Sequence, residues 1–181
     1  MADAIDPTRG AKWALAHPLR FRIWELLREG PATASQLARR LGESRGSASY
    51  HLRFLARAGV IVEDTSVGTR RERWWRRPEA PVVAAASADA EGRAIDARML
   101  AVFFARDEEV RHRYVVGRAT APWCEAAFVG NWFVALTPAE ADELGRNLFA
   151  IVDDLRRTPR SGDGDETLVS VSVLPVLAER G

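Results

Sequence analysis

The sequence is short of cysteine, lysine, histidine and long apolar runs, and each shortage excludes something. Cys124 is the one cysteine among 181 residues, so no disulfide can close within a chain. It stands between Trp123 and Glu125 with no local cation to stabilise a thiolate, which favours a structural cysteine over a redox sensor. His17, His51 and His112 are the only histidines and lie far apart, so no spacing resembles a closed zinc site. No metal and no cofactor are therefore expected. No apolar stretch approaches the roughly 20 residues that span a bilayer, and the first residues lack the apolar core of a signal peptide. A cytoplasmic protein with no membrane partner is the expectation. The neighbouring acids Glu108 and Glu109, or Asp153 and Asp154, cannot face each other on a helix. No nucleophile elbow, phosphate loop or metal-hydrolase motif is present, so the chain reads as a non-enzyme.

What the sequence does contain is arginine, unevenly placed. Lys12 is the single lysine among 26 basic residues; with the abundant alanine this points to a high-GC bacterial coding sequence. Hydrophobic residues at 47% and charged residues at 28% fit an ordinary globular chain. The net charge of +1 hides a split: residues 1–77 hold 15 Lys/Arg against 8 Asp/Glu, whereas residues 78–181 hold 11 against 17. A basic first part beside an acidic second part suits a domain that meets a polyanion.

The first part reads as helices followed by a hairpin. A short helix is expected over 11–16. Pro18 then suits the first turn of a second helix, with Leu19, Ile23, Leu26 and Leu27 at helical spacing through Arg28 and Gly30-Pro31 as its end. Thr33 with Gln36 three positions later forms a candidate capping box, Leu37, Ala38 and Leu41 are the buried side, and Gly42 is a stop. Ser44 is a second N-cap candidate, and Ala48, Leu52, Leu55 and Ala56 mark the inner face of the helix it opens. Gly59 closes that helix. A strand is expected at 60–62, a turn over 65–68, and a second strand over 70–76 ended by Pro78. Two short helices joined by a tight turn, then a hairpin, make a winged helix-turn-helix.

A recognition helix presents small polar and basic groups at its N-terminal end, where base edges in the major groove carry the sequence code. Arg45, Ser49 and Arg53 share an outer stripe at i, i+4 and i+8, flanked by Ser44, Ser47, Tyr50 and His51. Arg45 is a candidate for a bidentate contact to guanine; the hydroxyls suit phosphates. The hairpin supplies five arginines within residues 68–77, of which Arg70, Arg71 and Arg73 are the candidate DNA contacts. Trp74 and Trp75 point to opposite faces of their strand, so one anchors the wing while the other is more exposed.

The segments 15–23, 35–38 and 49–61, in that order and followed by a wing with an aromatic strand, resemble the ArsR-type winged helix regulators. The resemblance covers about residues 10–78. It implies a homodimer on a pseudo-palindromic operator, usually as a repressor. Ligand cysteines often found in metal-sensing members are missing from 34–41, so the non-metal subgroup is the better likeness; the motif Leu136-Thr137-Pro138-Ala139-Glu140 recurs in the C-terminal extensions of that subgroup.

The expected organisation is an α+β fold: an N-terminal winged helix-turn-helix domain at 10–78, a linker at 79–92 and a smaller α+β dimerisation or effector-responsive region at 93–181. A long helix is expected over 93–116, with Ile95, Met99, Val102, Phe103, Val110 and Tyr114 as its apolar stripe, the expected dimer seam. A strand or a hairpin about Gly130-Asn131 is expected over 125–136, a helix from Thr137 through Leu155, and a half-buried strand over 168–173. Trp123, Phe128, Trp132 and Phe133 form either an effector pocket or a packed interface. Three readings of function stand side by side: a regulator binding double-stranded DNA as a homodimer, a small-molecule-responsive sensor, and a winged helix module that binds protein.

Overall fold

The computed structural model describes residues 7–67, 72–78, 87–117, 121–158, 164–165 and 167–176. Its elements run α1 (Pro7–Leu15), α2 (Pro18–Leu26), β1 (Ala32–Thr33), α3 (Ala34–Leu41), α4 (Arg45–Arg57), β2 (Val62–Asp64), β3 (Trp74–Arg76), α5 (Ala90–Val116), α6 (Ala121–Ala126) and α7 (Pro138–Arg157). The chain divides into two compact units, Met1–Arg106 and Asp107–Gly181.

Local chemistry sets most boundaries of the first unit. Pro18 opens α2, and the helix tightens as it ends, with the Arg28 N–H on the Glu25 carbonyl and the Glu29 N–H on that of Leu26. The Thr33 hydroxyl accepts from the Gln36 N–H at 3.3 Å while the Gln36 side chain accepts from the Thr33 N–H at 2.8 Å, so two orphan donors are satisfied reciprocally. Gly42 ends α3 at φ 68°, a left-handed conformation open to glycine at little cost. Ser44 caps α4 by accepting from the Ser47 N–H at 3.1 Å.

The inner faces of these helices meet in one core in which Leu15, Ile23, Leu37, Leu52, Leu55, Val60 and Ile61 are fully buried. The strand expected at 60–62 starts only at Val62. Burial takes Val60 and Ile61 for the core plug beneath α4, and ladder pairing begins with Val62 on Arg76. A strand that the sequence reading missed, β1, adds to the sheet through Ala32↔Trp75 and Thr33↔Trp74. The order is β1-β3-β2, antiparallel throughout. The central strand thus carries both tryptophans: Trp75 is buried in the core and Trp74 is half-buried. Residues 72–73, expected in β3, lie outside the strand, and residues 68–71 lie outside the described residues.

The long helix starts at Ala90 rather than Arg93, because the Asp89 carboxylate accepts the Gly92 N–H at 2.8 Å and caps it. Part of the expected linker is therefore helix; residues 79–86 lie outside the described residues. Through Arg106 the helix belongs to the first unit. Met99, Val102 and Phe103 pack on the core, and the Phe103 ring meets Phe21 at 4.6 Å. Ion pairs tie it to the helices before it, among them Lys12 Nζ to Asp96 at 2.6 Å, Arg106 Nε to Glu25 at 2.9 Å and Arg9 Nη1 to Glu91 at 3.2 Å. The inward part of the expected apolar stripe thus faces the winged helix core, while Leu100, Phe104 and Tyr114 are exposed.

In the second unit α7 opens on a capping box, with Glu140 accepting from the Thr137 N–H and hydroxyl, each at 2.7 Å, and the Thr137 hydroxyl accepting from the Glu140 N–H. The expected strands are corrected here. Residues 125–126 complete α6, and the Ala127 N–H extends it onto the Trp123 carbonyl. Residues 127–136 and 168–173 form no strand and no hairpin about Gly130-Asn131. A strand exists only through a ladder with a neighbour, and among the described residues of this unit neither segment has one.

Candidate nucleic-acid interface

The candidate surface starts from the two faces of α4. Ala48, Leu52 and Leu55 are buried, which turns Arg45, Tyr50, Arg53 and Arg57 outward. The arginines lie along the helix: Arg53 Nε donates to the Ser49 carbonyl at 3.2 Å and Arg57 Nε to that of Arg53 at 3.4 Å. Both side chains are exposed.

Three elements converge on that face. An open cleft of roughly 330 Å³ is lined by Thr33, Ala34 and Ser35 at the start of α3, by Arg45, Ser49 and Arg53 of α4, and by Glu72, Arg73 and Trp75 of the wing strand and its approach. The outer stripe of α4 and the wing thus share one concave surface, with the N-terminal end of α3 as its third wall. Helix N-termini and arginines both favour anions, so the cleft suits a phosphate backbone. Its one carboxylate is Glu72. Arg73 Nε lies 3.7 Å from Glu63, a loose pair that leaves Arg73 mostly exposed.

The remaining sequence candidates divide by what holds them. Ser44 is engaged in capping α4, and Ser47 gives its backbone N–H to that cap and is half-buried. Tyr50 is exposed and meets the His51 ring edge-on at 5.2 Å. His51 turns toward His17, ring centroids 5.0 Å apart. Arg70 and Arg71 lie outside the described residues. The last two wing arginines serve the fold: Arg77 stacks on Trp24 at 3.5 Å, and Arg76 lies 3.8 Å from the buried Asp64. Asp64 itself accepts from the Ser66 N–H and hydroxyl, at 3.0 and 2.6 Å, and so starts the turn of the wing; these bonds hold its carboxyl below the usual range.

Thr33, Ala34, Ser35 and Glu72 were not anticipated at this surface. The capping box at Thr33 marked a helix start, but only the α3–α4 packing brings that start beside Arg45.

Of the four aromatics expected to form a pocket or an interface, Trp123 is half-buried and Phe128, Trp132 and Phe133 are exposed. Trp123 Nε1 donates to Asp165 at 2.6 Å, while Phe128, Trp132 and Phe133 are 87%, 78% and 88% exposed. Cys124 is exposed. Among the described residues no group of three or more His, Cys, Asp or Glu side chains is placed to hold a metal, and no helix is long and apolar enough to cross a membrane.

Helices α3 and α4 joined by a tight turn, with a core-anchored β2–β3 wing, define a winged helix-turn-helix domain. The family model described as a helix-turn-helix domain matches residues 15–64, from the end of α1 to the end of β2. No curated protein matches the chain. Among solved structures, the chain is similar to reduced HlyU from Vibrio cholerae N16961, with 21% identity over 46% of this chain and 76% of that one at a TM-score of 0.32. It is also similar to the adhesin competence repressor AdcR from Streptococcus pyogenes, with 12% identity over 77% and 81% at 0.37. A third is Mb0332 from Mycobacterium bovis, described as the homodimeric winged helix-turn-helix DNA-binding domain of a possible ArsR-family transcriptional regulator, with 21% identity over 63% and 97% at 0.36.

Proposed function

We propose that this chain is a sequence-specific transcription regulator that binds a pseudo-palindromic operator as a homodimer and acts as a repressor. The observation that carries the reading is the shared cleft: Arg45, Ser49 and Arg53 on α4 face Arg73 of the wing and the start of α3. In this reading the N-terminal end of α4 enters the major groove, where Arg45 reads guanine. Arg53, Arg73 and the hydroxyls of Ser49 and Tyr50 hold phosphates and set the register. Residues 10–78 are the DNA-binding domain, with Arg70 and Arg71 as further DNA contacts. One winged helix covers too little DNA for a specific site, so two half-sites are read by two copies.

Residues 93–181 supply the second function, dimerisation or response to an effector. The exposure of Phe128, Trp132 and Phe133 favours an interface over an enclosed pocket, since contiguous exposed apolar surface marks association. Selection of bound fragments from source genomic DNA, followed by footprinting, tests the reading. A protected site with two-fold symmetry is the expected result; equal binding to all duplexes, or none at low salt, refutes it.

A further inference from the structure

His51 stands on the DNA-facing helix, yet its ring is spent inward. His17 occupies the N-cap position between α1 and α2 without capping by its side chain, and His51 meets it from the middle of α4 with centroids 5.0 Å apart and ring planes 39° apart. Nδ1 of each ring is buried with no hydrogen-bond partner among the described residues. Beside them lies a fixed cation. Arg20 is buried, donates from Nε to the Ala14 carbonyl at 2.6 Å and from Nη2 to the Trp13 carbonyl at 3.0 Å, and covers the Phe54 ring at 4.1 Å. The core, both main-chain carbonyls and Phe54 hold that guanidinium in place.

We propose that the His17–His51 contact is a pH-responsive seat for the recognition helix, in which neutral rings hold α4 in its DNA-reading position and protonation of the pair weakens DNA binding. The proposal rests on the DNA reading above and adds regulation to it. A proton on either ring places a second charge beside Arg20, and the two rings cannot both be charged at this separation without repulsion. The charged or ionisable groups facing them are Arg20 from α2, Arg98 from α5, Tyr50 on α4 and Glu43 just before it. Of these only Glu43 favours a charged His51. Burial first, then Arg20, pushes both rings below the ordinary value of 6.5. The native seat therefore resists protons that an unseated chain accepts. Its contribution is whole above that value and is lost as pH falls through it toward the depressed folded values. Binding falls with the fraction of molecules whose α4 remains seated. The expected sign is distinctive, because adding positive charge to a DNA-binding domain otherwise tightens binding as pH falls.

The test measures affinity of the full chain for the selected operator at fixed ionic strength, from about pH 8 to about pH 5.5, for the natural sequence and for His17→Gln. Thermal unfolding at the upper pH establishes that the variant is folded. Affinity is expected to fall by up to about tenfold per ring between about pH 6.5 and pH 5.5, and the fall is expected to flatten in His17→Gln. Imidazole proton resonances of the natural sequence, in which His112 is the only other histidine, are expected to show both paired rings titrating below the ordinary range. Titration of both in the ordinary range overturns the proposal, as does binding that tightens on acidification or an equal fall in His17→Gln. Absence of binding by either protein at about pH 8 and low salt overturns the DNA reading itself, and the regulatory use of the pair with it.

Discussion

Arg53 and Arg73 to glutamine should change how DNA binding responds to salt, and Arg45 to glutamine should not change it in the same way. Arg53 and Arg73 line the shared cleft from opposite sides and are proposed to neutralise phosphates; Arg45 is proposed to read a base edge. Each phosphate contact contributes about 0.9 to the slope of log K against log salt. Two such contacts per protomer make four in a dimer, so the double variant should lose about 3 to 4 from the slope. Between about 50 and 200 mM salt the natural protein would then lose roughly a hundredfold more affinity than the variant, and the two binding curves converge. Arg45→Gln should leave the slope within about one unit per half-site and relax preference at one base position by about 1–3 kcal/mol. Fluorescence anisotropy on a labelled operator across a salt series, repeated with each base substituted, gives both quantities. Parallel salt lines for the natural protein and the Arg53/Arg73 variant would refute the placement of phosphates in the cleft. Unchanged base preference in Arg45→Gln would refute the base-reading role.

Three further outcomes follow from packing and pairing in the first unit. Trp75→Ala removes the one aromatic that pins β3 to the core, at 7% exposure, and should cost about 3–5 kcal/mol in denaturant unfolding; a loss below about 1 kcal/mol would contradict that anchoring. Thr33→Ala deletes the accepting half of the α3 capping box and should cost about 1 kcal/mol, with Thr33→Ser retaining most of it. Asp96→Ala removes the carboxylate that pairs with the buried Lys12, which is 3% exposed and bonded also to Ser87 at 3.0 Å, and should cost about 3 kcal/mol. Lys12 holds the Asp96 carboxyl below its ordinary 3.8, so the stability it contributes is present above that value and is lost as pH falls through the depressed folded one. Acid unfolding of Asp96→Asn should accordingly be shallower below about pH 4 than that of the natural chain.

What the sequence disclosed about the first unit came from signals acting over a few residues. Thr33 with Gln36, Ser44 ahead of its helix, Pro18, Gly42 and Gly59 each act within one turn, so they can be read without knowing what lies nearby in space. The inner stripe of α4 was legible for the same reason: Ala48, Leu52 and Leu55 recur at helical spacing and are all buried. β1 was not legible, because Ala32 and Thr33 become a strand only when Trp75 and Trp74 arrive beside them from far along the chain. The cleft shows the same divide. Its α4 wall was visible as a stripe, but the start of α3 joins it through packing. His51 appeared as an outward polar residue beside Tyr50, whereas the partner that claims it, His17, sits before a different helix.

The second unit reveals the limit of pattern reading from the other side. The sequence at 168–173 alternates valine with serine, and 127–136 is apolar and aromatic; both are patterns of burial. Yet Phe128, Val129, Trp132 and Phe133 are exposed, as are Leu168, Val169 and Val171, and among the described residues no strand pairs either segment. A residue pattern states the environment in which a segment is stable, not which chain provides it. The homodimer proposed above would provide it from a second copy, by pairing these segments into a ladder or by covering their aromatic side chains. That gives a direct outcome for the oligomeric state. Replacing Phe128, Trp132 and Phe133 together by serine should shift the chain from dimer to monomer in sedimentation equilibrium while leaving the thermal unfolding of residues 1–106 in place. Each buried aromatic contributes about 1.5–3 kcal/mol, and six are withdrawn from a symmetric contact, so the dissociation constant should rise by several orders of magnitude. A variant that remains dimeric at the same concentration would place the seam elsewhere, and Leu100 and Phe104 on the exposed side of α5 would be the next residues to change.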